Sequence, residues 1–195
     1  DYAEGCHEKV LEALRAADAA EIVRRGATQM HLELSGENYE GTSQNVCAVI
    51  PGTQKPEEVI SFGAHYDSVY FSTGVYDNMS GSVILMELLR YYAEHKPSRT
   101  LKFNWYGSEE QGLLGSKAWV KAHEEELDKH VLMVNVDVAA PILGKNGAPV
   151  LGTEKAVGYV DALMREAGIA CDVKMDIYSS DCIPFADKGI ADMQK

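Results

Sequence analysis

One imidazole and five carboxylates carry the chemistry that this chain can offer. His65 and Asp67 flank a single residue, Glu109 and Glu110 are adjacent, and Asp77 and Asp137 stand alone. Imidazole and carboxylate are ordinary ligands for a divalent cation such as zinc. A carboxylate left over beside such a cation can move protons as a general base. Taken one at a time, each residue has a plainer explanation. His65 suits a structural histidine, Asp77 a helix cap, and Glu109-Glu110 an acidic first helical turn. Asp137 is harder to explain away, because a carboxylate that ends an apolar strand needs a partner. Together the carboxylates would repel one another unless a cation sat among them, and that cation accounts for all six residues at once.

The elements around these residues bring them to one rim. Val59 to Ala64 is a short apolar strand that runs into His65-Tyr-Asp67. Leu101 to Tyr106 alternates as a strand and leads into Gly107-Ser-Glu109-Glu110. Val131 to Val136 is a nearly continuous apolar strand that ends at Asp137. A helix is predicted from about Asn78 to His95, with Val83, Met86, Leu89 and Tyr92 at helical spacing and Asp77 or Asn78 as its cap. Another helix follows Glu110 and runs to about Leu127. In open α/β sheets, ligands bind outside the carboxyl ends of the strands, where these segments converge.

The remaining elements are predicted in the same way. A helix covers Glu8 to Arg25, with a break near Ala17–Asp18. A hairpin joins His31–Leu34 to Ser43–Ile50. Residues 153–167 are helical, Cys171 to Asp176 is a strand, and another strand begins at Ile190–Met193. Strands alternating with helices imply a three-layer α/β sandwich with a mostly parallel central sheet flanked by helices. The expected organisation is a single catalytic domain over residues 1–195.

The formal net charge of −12 excludes the basic face that nucleic acid requires. No apolar run approaches the roughly 20 residues that cross a bilayer. Cys6, Cys47, Cys171 and Cys182 form no CxxC pair, and a Cys171–Cys182 bridge would need an oxidising compartment. Reduced thiols, and with them a cytoplasmic setting, are the expectation.

Four strings resemble the ordered motifs of the di-zinc aminopeptidase family, which includes bacterial leucyl aminopeptidases, aminopeptidase Y and glutamate carboxypeptidase II. They are Gly63-Ala-His65-Tyr-Asp67-Ser, Tyr76-Asp77-Asn78-Met-Ser80-Gly81, Gly107-Ser-Glu109-Glu110-Gln-Gly112-Leu-Leu-Gly115-Ser and Asn135-Val-Asp137. The resemblance extends over residues 42–190 and takes in Ser180-Asp181, Pro184-Phe185 and Gly189-Ile190. It implies that His65 and Asp137 ligate one zinc, Glu110 ligates a second, and Asp77 bridges them. It further implies that Asp67 holds the His65 ring and that Glu109 is the general base. The implied activity is hydrolysis of N-terminal peptide bonds, with peptides as substrates.

One departure stands out. The family supplies a last histidine ligand from beyond the final motif, and commonly has a histidine where Cys182 follows Asp181. His7, His31, His95, His123 and His130 all precede Asp137, and they read as structural or solvated. The expectation is therefore a catalytic domain incomplete at its C-terminus. Such a chain binds at most one zinc tightly and is inactive alone. A related zinc carboxypeptidase or amidohydrolase, or a non-catalytic domain with an incomplete metal site, is the alternative.

Overall fold

The computed structural model describes residues 16–29, 31, 33, 40–70, 72–139, 145–176 and 179–190. The chain forms two compact units, Asp1–Gly41 and Thr42–Lys195. In the first, helix α1 spans Ala16–Arg24, and Glu21 pairs with both Arg24 and Arg25 at 2.7 Å. The rest of the helix expected over residues 8–25 lies outside the described residues.

The second unit is built on a four-stranded sheet in the order β1-β3-β2-β4. Its strands are β1 (Val46–Ile50), β2 (Lys55–His65), β3 (Arg99–Tyr106) and β4 (His130–Asn135). β2 runs parallel to both β3 and β4, while β1 is antiparallel to β3. The central sheet is thus mostly parallel, as the alternating pattern implied. The second arm of the expected hairpin contains β1, which pairs with β3, Val46 lying opposite Trp105. Most of the first arm, Leu32 and Leu34 among it, lies outside the described residues.

Strand periodicity sorts the core into two layers. Leu101, Phe103 and Trp105 of β3 face one side, where they pack with Ile50, Ala64 and Leu85. Leu85 belongs to α2 (Ser80–Glu94), which covers that face. Tyr106 faces the other side with Trp119, Val120, Leu127, Phe185 and Ile190. This layer comes from α3 (Leu114–Ala122), the tight turn at Glu124–Lys129, and the short α5 (Ile183–Ala186). Helices on both faces of one sheet give the sandwich.

The helix expected from Glu110 to Leu127 is shorter at both ends. Ser108 and Leu113 take positive φ, 59° and 61°, so no continuous helix runs through the glutamates. At the far end, His123 N–H donates to Trp119 O at 3.1 Å and the chain tightens into the 124–129 turn.

A second sheet pairs β5 (Asn146–Val150) in parallel with β6 (Cys171–Met175), with α4 (Glu154–Glu166) between them in sequence. Thr153 caps α4 by accepting Ala156 N–H at 3.3 Å. β5 falls where a loop was expected, because Gly147 and Pro149 argue against a strand. Of the strand expected at Ile190–Met193, only Ile190 is described, buried at the end of a turn. Cys171 carries a free thiol, so it makes no bridge to Cys182. No described helix is long and apolar enough to cross a membrane.

Candidate metal centre

All six residues singled out in the sequence gather at the carboxyl ends of β2, β3 and β4 and before α2. His65 is the last residue of β2 and is 1% exposed. Its Nε2 lies 3.1 Å from Asp77 Oδ1, 3.3 Å from Asp137 Oδ1 and 4.0 Å from Glu109 Oε2. The other ring nitrogen, Nδ1, meets the Asp67 carbonyl at 3.0 Å and the Asp67 carboxylate at 3.6 Å. Nδ1 therefore carries the hydrogen, and Nε2 is the nitrogen that faces the carboxylates.

Asp67 has a second task. Its Oδ1 accepts Glu109 N–H at 3.0 Å and its Oδ2 accepts Glu110 N–H at 3.2 Å. Burial would raise its pKa, but the His65 ring and these two N–H groups overcome that and hold it low. Asp67 thus ties the β2 end to the loop that carries both glutamates.

Asp77 reaches the site because Asn78, not Asp77, does the work of a helix cap. Asn78 Oδ1 accepts Gly81 N–H at 3.0 Å and Val138 N–H at 3.3 Å, while Nδ2 donates to Val136 O at 2.9 Å. One buried amide thereby joins the start of α2 to the end of β4, and leaves the Asp77 carboxylate for His65. The peptide between Asp77 and Asn78 is cis. Gly81 is required at this joint, since a Cβ there would overlap Val136 O and lie 2.6 Å from Asn78 Oδ1.

Asp137 is held by a residue that carries no chemical signal of its own in the sequence. Ser180, fully buried, donates Oγ–H to Asp137 Oδ2 at 2.7 Å and accepts from Asn135 Nδ2 at 2.8 Å. Burial would raise the Asp137 pKa; His65 and the Ser180 hydroxyl outweigh it and hold the pKa below the ordinary carboxylate value. Burial also lowers the tendency of His65 to protonate, yet the Asp137 and Asp67 carboxylates carry its pKa up to about 11. Glu109 behaves in the opposite sense. Burial pushes it up to about 7, opposed by His65 and reinforced by Asp181, Asp137 and Glu110. Glu110 is raised by burial and by Asp77, and its Oε1 accepts Val69 N–H at 3.1 Å.

These residues fit a divalent cation. His65, Asp77 and Asp137 offer ligand atoms within 4.8 Å of one another, and so do His65, Glu109 and Glu110. Asp137 Oδ1 is buried without a hydrogen bond, an orphan acceptor that a cation would satisfy. A donor set of nitrogen and carboxylate oxygen suits zinc.

Comparisons with known proteins place the chain in a family of peptidases. The model of peptidase family M28 matches residues 45–194. Carboxypeptidase Q of Mus musculus is 30% identical over 80% of this chain and 34% of its own length. A probable leucine aminopeptidase of Arthroderma benhamiae is 32% identical over 68% of this chain and 43% of its own. Among solved structures, a zinc aminopeptidase from Bacillus subtilis superposes with a TM-score of 0.68 and 28% identity, over 77% of this chain and 39% of that one. The chain spans well under half the length of each of these relatives.

Proposed function

Because the chain belongs to peptidase family M28, we propose that it forms the metal-binding part of a zinc-dependent exopeptidase, with aminopeptidase the leading reading. The observation that carries this is the convergence of His65, Asp77 and Asp137 within 4.8 Å, with Glu109 and Glu110 beside the same imidazole. His65, Asp137 and Asp77 would hold one zinc, and Glu110 with Asp77 would contribute to a second. Bound zinc supplies a Lewis acid that polarises the scissile carbonyl and lowers the pKa of water.

The chain's own residues do the rest. Asp67 fixes the His65 ring through Nδ1, so Nε2 stays available. Glu109, partly buried and drawn up to about 7, takes the proton of the attacking water and returns it to the leaving amine. Glu110 does not share this role, because it is assigned to the metal and its Oε1 already accepts Val69 N–H. A probable leucine aminopeptidase and a zinc aminopeptidase are among the proteins that the chain resembles. That favours release of N-terminal residues.

The resemblance to carboxypeptidase Q over most of the chain supports a second reading, removal of C-terminal residues. Elemental analysis together with two substrate sets separates the two. Aminoacyl nitroanilides and C-amidated dipeptides report the first activity; N-blocked dipeptides with a free carboxylate report the second.

The ligand count sets the zinc content of these 195 residues. The first position has three protein ligands and room for water, a workable site. Among the described residues the second has Glu110 and a share of Asp77, too few for tight binding. One tight zinc is therefore expected in a calorimetric titration. Two tight sites would overturn this ligand assignment.

A further inference from the structure

Glu109 and Glu110 ride on the loop from Gly107 to Leu113, which joins β3 to the first turn of α3 at Leu114 and Gly115. Ser108, Gly112 and Leu113 within it all have positive φ. Serine and leucine do not hold that conformation unaided, so the loop depends on fastenings from outside. Asp67 fastens its middle. Its start and the first turn of α3 meet backbone to backbone: a Cβ on Gly115 would overlap Gly107 O and lie 2.9 Å from Gly107 N.

One side chain spans that meeting point. Asn45, on the segment entering β1, accepts Gly107 N–H through Oδ1 at 3.2 Å and donates Nδ2–H to Gly115 O at 2.9 Å. Its neighbours press on the same place. A Cβ on Gly107 would lie 2.7 Å from Gln44 O and 3.0 Å from the Tyr66 hydroxyl, which itself donates to Gln44 O. Tyr66 directly follows His65, so the clasp is tied to the metal-binding strand as well.

We infer that Asn45 is a positioning residue for the two glutamates. It closes the base of their loop and so sets where the Glu109 and Glu110 carboxylates stand relative to His65 and Asp77. This rests on the roles proposed above for those two residues. The clasp and the Asp67 anchor act at different points, one at the base of the loop and one on its middle.

The test uses the full-length protein carrying Asn45→Ala, Gly115→Ala and both together. Amide hydrogen exchange in the metal-free protein reads the loop. Residues 107–115 should exchange at least about tenfold faster in each variant, while β2 and β4 stay near wild type. Turnover of an aminoacyl nitroanilide should fall about 10- to 100-fold in kcat with little change in KM, as expected when a reacting group is displaced by about an ångström. Both substitutions break one contact, so the double variant should be no worse than the worse single one. Asn45→Asp keeps the acceptor for Gly107 N–H but opposes Gly115 O, and should fall between wild type and Asn45→Ala.

Faster exchange throughout the sheet, additive losses, or an unchanged kcat with a loosened loop would each overturn the inference. If Gly115→Ala does not fold, the two Asn45 variants decide it. A wild-type protein without peptidase activity would defeat the functional reading, while the exchange result would still decide the clasp.

Discussion

Ser180 Oγ donates to Asp137 Oδ2 at 2.7 Å, although 43 residues separate them in the chain. The same hydroxyl receives Asn135 Nδ2, so it stands in a directed relay that leaves Asp137 Oδ1 as the oxygen facing His65. Ser180→Ala should weaken zinc binding by about 10- to 100-fold, the scale on which partners of metal ligands act. Competition against a chromophoric chelator measures it, with far-UV circular dichroism to confirm an intact fold. Unchanged affinity would mean that Asp137 keeps its orientation without Ser180.

Glu109→Gln preserves shape and removes the proton acceptor. Zinc content should stay at the wild-type level while kcat falls by roughly 10²- to 10⁴-fold. Equal loss of zinc and activity would assign Glu109 to the metal instead of to the water.

The metal-free protein should grow more stable as pH falls from about 8 to 5. Glu109 and Asp181 are raised by burial to about 7 and about 6. Ser116 opposes the shift at Asp181, but its hydroxyl donates to Leu113 O, and both Asp181 oxygens lack a hydrogen bond. A carboxyl group whose folded pKa is raised contributes stability that is full below its unfolded value and lost as pH rises through the folded one. His65, raised to about 11, acts in the same sense above its ordinary 6.5. Asp67 and Asp137 are lowered, so their contribution is lost only on acidification through the low carboxylate range. Zinc competes with the His65 proton, so its stabilising effect should grow with pH. Melting temperatures with and without zinc, from pH 5 to 8, test both trends. A metal-free protein that is most stable at pH 8 would contradict them.

Phe185 is fully buried, stacked on Trp119 at 5.2 Å and tilted against Tyr106 at 6.4 Å. Phe185→Ala should cost about 3–5 kcal/mol by denaturant unfolding. Because the same segment carries Ser180, zinc affinity should fall as well. Lost stability with unaltered zinc affinity would show that Ser180 is held independently of this packing.

The strands that end at His65, Tyr106 and Asn135 were legible because each is an apolar run that stops at a polar residue. The same pattern brought all six candidate residues to one rim. What stayed hidden depends on backbone that is distant in sequence. Asn78 caps α2 only because Val136 and Val138 come to meet it, and no local signal separates it from Asp77. Ser180 reads as loop polarity until Asp137 is beside it. β5 was missed because Pro149 and Gly147 count against a strand, and the pairing of β1 with β3 because a nearby turn suggested a partner closer in sequence. The start of α3 was set too early because Ser108 and Leu113 carry nothing in their side chains that announces a positive φ.

The strand order has a consequence for how the protein assembles. His65 lies on the strand between those leading to Glu109-Glu110 and to Asp137, so in space the order is glutamates, histidine, aspartate, whereas the chain order is histidine, glutamates, aspartate. Each neighbour of β2 pairs in parallel and arrives only after a crossover through helix. Such non-local pairings form slowly. The tight position takes His65 from the end of β2, Asp77 from before α2 and Asp137 from just beyond β4, so the ability to capture zinc tightly appears only when β4 has docked on β2. In stopped-flow refolding, a metal-sensitive dye would therefore time that docking.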